Sequence, residues 1–193
     1  MKKIFFLLIL FIQTFSLATA GKEITLKAGD ILIYDVKNYN LEYEFKVTLK
    51  ELSKQIVFDW EMGSPMNLKG SVTITAKSLK DAVGYDNYFK EGSKELTDKS
   101  SVFITDKNYK ELIKGKTYMD MGDGCTGNWI TDETDAEVQY KGGTMNFPAY
   151  YLTLDRPYQD FNGIRDLRVL KTSKYHLIHS MNLGWTIYLK EIQ

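Results

Sequence analysis

Cysteine, histidine, arginine and proline are all scarce in this chain of 193 residues, and each scarcity excludes something. The single cysteine, Cys125, has no partner for an intramolecular disulfide even in an oxidising compartment, so stability has to come from packing. It is either a small buried residue or an exposed thiol open to oxidation. The two histidines, His176 and His179, stand at i, i+3 with no cysteine or third histidine nearby to complete a zinc set. A strand would place them on opposite faces and a helix on one face. A Gly-x-Ser-x-Gly elbow is absent, and although the partners of a Ser-His-Asp triad lie far apart in any sequence, these histidines read as structural. No catalytic set and no cofactor motif is visible. An excess of one charge is missing too: Lys+Arg and Asp+Glu are 25 each, which leaves no electrostatic footprint for nucleic acid or an anionic membrane.

Long apolar runs are confined to the start. Met1-Lys2-Lys3, the unbroken run Ile4 to Ile12 and the small residues Ala18 and Ala20 predict a secretory signal peptide over residues 1–20. The run is too short for an ordinary membrane span, and no later stretch approaches the ~20 apolar residues a transmembrane helix needs. Cleavage after Ala20 exposes Gly21 rather than a cysteine, so the expected product is soluble, periplasmic or extracellular, and not a lipoprotein. Residues 21–193 suit one domain of roughly 100 to 200 residues. No internal repeat, linker or break in composition divides them.

What the chain does have is alternation. From Leu41 to Lys50 the odd positions Leu41, Tyr43, Phe45, Val47 and Leu49 are apolar and the even positions are polar. Side chains on a strand alternate faces, so this stretch is a strand with one buried wall and one wet one. The polar link Glu51 to Gln55 joins it to a second strand, Ile56 to Met62, as a hairpin. Gly29-Asp30 divides two short strands between Ile24 and Val36, and Val72, Ile74 and Ala76 mark another strand. Residues 78–100 read as a polar surface excursion with one helical turn around Tyr85 to Phe89. Thr105 and Asp106 can cap a helix carrying Tyr109, Leu112 and Ile113 on one side, with Gly115 at its end. Further strands are expected at Val102 to Ile104, Thr117 to Met121, Asn128 to Thr131, Ala136 to Tyr140, Thr144 to Leu154, Asp166 to Leu170 and Leu183 to Leu189. Together these predict an all-β, mainly antiparallel fold, a β-sandwich or partly closed barrel with one short helix near residues 106–114.

Three pieces carry a resemblance: Gly70-Ser-Val-Thr-Ile-Thr-Ala-Lys-Ser-Leu at 70–79, Ser101 to Lys116, and Met181-Asn-Leu-Gly-Trp-Thr-Ile-Tyr-Leu-Lys-Glu-Ile at 181–192. In this order they resemble exported β-rich proteins of Bacteroidetes-type bacteria. The matching pieces cover under half of the mature chain. The resemblance implies export and an all-β body, and it brings no catalytic residues. Between Asp155 and Arg168 the chain departs from that pattern, which has a shorter and less charged link.

All three arginines, Arg156, Arg165 and Arg168, fall in or beside this link, while every other basic residue is lysine. Arginine offers a rigid fork for carboxylate or phosphate that lysine lacks, so an anion or acidic-sugar contact is one reading. Internal pairing with Asp155, Asp160 and Asp166 is the other. Tyr158 and Phe161 lie in the same loop, and Tyr150-Tyr151 are adjacent, so one of the two faces away from the core of a regular strand. Rigid aromatics with a polar tip suit sugar or peptide recognition as well as an ordinary β-core rim. Asp120, Asp123, Asp132 and Asp135, with Glu133 and Glu137, crowd the glycine-rich bend around Gly122 to Gly127. They form a weak calcium candidate, since no Asp-x-Asp-x-Asp-Gly loop is present and acidic turns are normally solvated. The functional expectation is an exported, non-enzymatic binding or envelope-associated module whose partner is an envelope glycan, peptide or protein. An envelope-directed hydrolase and a β-barrel carrier of an apolar ligand are the alternatives.

Overall fold

The computed structural model describes residues 23–155 and 163–193. In chain order its elements are β1 (Ile31–Asn38), β2 (Leu41–Leu52), β3 (Ile56–Met62), β4 (Lys69–Ile74), α1 (Ala76–Asp81), β5 (Gly84–Tyr85), β6 (Gly92–Leu96) and β7 (Lys99–Ser100). Then follow β8 (Phe103–Ile104), α2 (Asp106–Leu112), β9 (Lys116–Asp120), β10 (Thr126–Tyr140), β11 (Gly143–Leu154), β12 (Asp166–Leu170), β13 (His176–Asn182) and β14 (Thr186–Ile192). The protein is all-β in class, as its alternation predicts.

The strands run in the order β6-β4-β3-β2-β1-β14-β13-β12-β11-β10-β9-β5-β7, and β10 also pairs with β14. That extra pairing closes β10 to β14 into a ring of five strands. The ring's last side is parallel and short, consisting of Gln139 opposite Glu191 and Tyr140 opposite Ile192. From β14 the sheet continues outward as an antiparallel wing, β1 to β4. Among the named strands, parallel pairs lie toward the margins and at the closure, which keeps the sheet mainly antiparallel.

The wing follows its hydrophobic pattern. Phe45, Val47 and Leu49 are buried, and they face Tyr34 and Leu32 on β1 and Met62, Trp60 and Phe58 on β3. Burying one such side chain contributes about 1.5–3 kcal/mol. Leu41, the first of the alternating residues, is 42% exposed, because it closes the tight β1–β2 turn at the end of the hairpin.

The β10–β11 hairpin departs from the expected pair of short strands with an acidic turn at Asp132 to Asp135. It is one ladder, in which Asp132 lies opposite Tyr151 and Asp135 opposite Pro148. Its buried side changes partway along: Trp129 and Leu154 are buried near the open end, whereas Ala136, Val138, Tyr140 and Phe147 are buried on the opposite parity near the tip. At the changeover both faces are wet, so a run of acidic residues sits inside a strand and looks like a turn. The turn itself is Lys141-Gly142, both with positive φ (49° and 83°), the geometry of a two-residue hairpin loop.

Other expectations need correction. Ala76 begins a helix rather than extending a strand, because the Thr75 hydroxyl accepts from the Ser78 backbone N–H and caps α1. Residues 84–100 form β5, β6 and β7 instead of a helical turn. Residues 176–182, not expected as a strand, form β13, and its fully apolar-to-neutral run is buried on both faces. Ile24 makes a single bridge to Thr172 rather than a strand. The helix after Thr105 forms as expected, with Gly115 at φ 98° beyond its end, although Ile113 is exposed and Asn108 takes the buried face.

Candidate functional site

Strands β11 to β14 place one row of side chains side by side on a common face: Tyr151 opposite Arg168, Arg168 opposite Ser180, and Ser180 opposite Tyr188. Residues directly across a ladder share a face, so the register alone assembles this row. The Arg168 guanidinium carbon lies 5.0 Å from the centre of the Tyr151 ring. This stacking covers one face of the guanidinium and leaves its edge N–H groups as donors. Arg168 makes no ion pair with a described residue at salt-bridge distance. Asp166, two positions earlier, has its pKa raised by burial, against the opposing pull of Arg168 and of a hydrogen bond from Asn182.

His179 joins this row through a bulge. The register of β12 and β13 shifts between Arg168–Ser180 and Val169–Ile178, which leaves His179 as the extra residue. Its ring stands edge-on to Tyr188 with centroids 4.7 Å apart, and its Nε2 lies 3.1 Å from the Glu137 carbonyl. A carbonyl oxygen only accepts, so Nε2 carries the proton and Nδ1 is the bare nitrogen. That Nδ1 and the Ser180 hydroxyl are buried and have no hydrogen-bond partner among the described residues. Burial holds the His179 pKa down to about 4, so the ring is neutral. The Tyr188 hydroxyl also donates to the Glu137 carbonyl at 3.0 Å, and the Tyr188 ring is 41% exposed.

The other expected site residues lie elsewhere. Arg156, Tyr158 and Phe161 fall outside the described residues. Arg165 is only 5% exposed, and its guanidinium lies against Gly184 and the Cys125 thiol. Its position is interior, not at an accessible edge. Cys125 is buried, and burial raises its pKa. Asp155 pairs with Lys116 at 3.0 Å rather than with a described arginine.

The acidic residues do not converge. Asp120 accepts from the Gly122 N–H at 3.1 Å and the Thr126 hydroxyl at 2.6 Å, and Asp123 accepts from the Trp185 indole at 2.8 Å. Both therefore serve turns. Asp132 and Asp135 project from the exposed middle of β10. Among the described residues no group of three or more His, Cys, Asp or Glu is placed to hold a metal ion.

His176 stacks flat on Tyr109, with centroids 3.1 Å apart and planes 6° apart, and burial lowers its pKa to about 4. Neither histidine has a carboxylate partner among the described residues. A partly open apolar pocket of about 30 Å³ lies beside Tyr34, Phe45, Val102 and Trp185, which is room for one or two waters and not for an acyl chain.

Of the row Tyr151, Arg168, Ser180, His179 and Tyr188, sequence reasoning reached Arg168 by its rarity and Tyr151 by its adjacency to Tyr150. Tyr188 carried a signal that went unused, since it alternates with Ile187 and Leu189 on the polar parity of β14. The bulge that turns His179 toward it has no signature in the sequence. Comparison with protein-family models, with curated proteins and with solved structures finds no match for this chain.

Proposed function

We propose that this protein is an exported, non-enzymatic binding module that holds an acidic envelope glycan on the face formed by Tyr151, Arg168 and Tyr188. The observation that carries this reading is the Arg168–Tyr151 stack, 5.0 Å apart, in which an arginine without an ion-pair partner among the described residues is braced by a ring. A sugar ring lies well on an aromatic face, and a uronic carboxylate matches the guanidinium fork. Tyr188 extends the same face by another partly exposed ring. Among the described residues the neutral, buried histidines have no carboxylate that would orient them as a general base, which favours binding over hydrolysis.

Retention on a uronic-acid polysaccharide, compared with a neutral one, tests this. Arg168→Ala should weaken retention about tenfold or more, and Arg168→Lys should recover only part of it because lysine keeps the charge and loses the fork. Equal retention of both variants, or equal retention on the neutral polymer, would falsify the proposal. Export is tested separately: the amino terminus of the secreted protein should be Gly21, and a product that still begins at Met1 and stays in the cytoplasm removes that part.

A further inference from the structure

A second pocket, of about 180 Å³, lies between the β2–β3 turn, the start of α1 and the loop before β13. It shares no residue with the Arg168 face. Its floor is apolar: Phe103 and Ile104 of β8 are buried, and Leu79 of α1 closes one side. Its rim carries two ammonium groups, Lys54 and Lys174, and one carboxylate, Asp106. Neither lysine forms an ion pair with a described residue at salt-bridge distance. Lys174 instead sits 4.8 Å above the Tyr175 ring. The two lysine-bearing segments are tied together, because the Tyr175 hydroxyl donates to the Ser53 carbonyl at 2.5 Å and the Thr172 hydroxyl donates to the Tyr175 carbonyl. The walls are therefore built from residues about 120 positions apart in the chain.

Size and charge together narrow the occupant. A dry cavity of about 150 Å³ admits benzene, so this volume suits a body of about six to nine heavy atoms. A fully polar ion such as phosphate would leave the accessible apolar lining, Ala76, Leu79 and Tyr175, uncovered. Two lysines favour a negative head, and Asp106 on the same rim repels a second negative charge. We propose that this pocket binds a small monocarboxylate with an apolar body, of the size of benzoate or hexanoate. Its apolar part rests on Ala76, Leu79 and Tyr175 above the buried Phe103 and Ile104, and its carboxylate lies between Lys54 and Lys174. This site stands or falls independently of glycan binding.

Titrating the folded protein with benzoate, while following the Leu79 and Ile104 methyl signals by NMR, tests the assignment. Saturable shifts confined to this pocket are expected, with benzyl alcohol and phosphate both binding more weakly. Lys54→Ala and Lys174→Ala alter exposed residues, so the melting temperature should hold while benzoate affinity falls about two- to fivefold for each. Asp106→Asn should tighten binding, and Leu79→Trp, which fills the space, should abolish it. Equal affinity for benzoate and benzyl alcohol would overturn the proposal. So would phosphate matching benzoate, shifts that never saturate, or shifts that appear on the Arg168 face instead.

Discussion

Gly70 occupies a position where no side chain fits. A Cβ there would lie 2.3 Å from the Gly92 carbonyl oxygen and 2.8 Å from the Trp60 ring, so either the β4–β6 pairing or the buried indole would have to move. Overpacking of this kind typically costs 1–3 kcal/mol. Gly70→Ala should therefore lower the urea midpoint by the shift that a loss of about 1–3 kcal/mol in unfolding free energy produces. A midpoint within error of wild type would show that the β6 edge is loose enough to yield. The histidines make a second prediction at this scale. Their folded pKa values of about 4 lie below the ordinary 6.5, so between those values the folded state binds fewer protons than the unfolded chain. Their contribution is complete above about pH 6.5, declines as the pH falls through that window, and levels off below about 4. Each histidine can account for at most about 3 kcal/mol. Asp166, whose pKa is raised, acts in the opposite direction at lower pH. Urea midpoints should drop between pH 7 and pH 4.5, and replacing both histidines with glutamine should remove most of that drop. A flat wild-type profile would count against burial as the cause.

At the scale of the element, the two helix starts show what a cap contributes with and without a network behind it. The Thr75 hydroxyl accepts from the Ser78 N–H at 3.3 Å and has no other hydrogen bond among the described residues. Thr105 accepts from the Asn108 N–H at 3.3 Å and also donates to the Ala82 carbonyl at 2.8 Å. Behind it, Asn108 is fully buried, accepts from the Tyr85 hydroxyl at 3.1 Å, and donates to the Thr117 hydroxyl at 3.0 Å and the Tyr118 carbonyl at 2.9 Å. Thr75→Ala should cost about 1 kcal/mol. Asn108→Ala should cost about 2–4 kcal/mol, because it strands several buried partners at once. Calorimetry ranking the two in the reverse order would refute this account. The same contrast explains what was legible. Helix α2 could be read from Thr105 and Gly115, which signal locally. The burial of Asn108 could not, since a polar residue goes inside only when distant strands bring it partners. Helix α1 is hidden in the sequence because Val72, Ile74 and Ala76 keep strand rhythm up to and past the cap.

Over the whole molecule, strands β2 to β4 of the wing are readable because each buries one face, so period two survives from sequence to structure, whereas on β1 Ile33 is buried along with its neighbours Leu32 and Tyr34. The ring was less readable for two physical reasons. The β10–β11 hairpin changes its buried side partway, and β13 is covered on both faces, which erases alternation altogether. The candidate site lies within the ring. Arg168 and Tyr151 stood out by rarity and adjacency, whereas Ser180, His179 and Tyr188 are brought to them only by the β13 register and its bulge.

The closure of the ring rests on few interactions. Besides the Gln139–Glu191 and Tyr140–Ile192 pairs, Lys141 N–H donates to the Ile192 carbonyl at 3.1 Å, and Tyr188 and His179 both reach the Glu137 carbonyl. Removing one neutral hydrogen bond costs about 1 kcal/mol, which is a large share of so short a seam. Tyr188→Phe deletes the hydroxyl and keeps the ring, so it should open the seam locally without removing the aromatic face proposed for glycan. Amide exchange of Lys141 should then accelerate about fivefold, the factor that 1 kcal/mol supplies, while the amides of Phe45, Val47 and Leu49 on the wing stay as slow as before. Uniform acceleration would mean that ring and wing open as one cooperative body. No acceleration at Lys141 would mean that the seam is held by its parallel pairs alone.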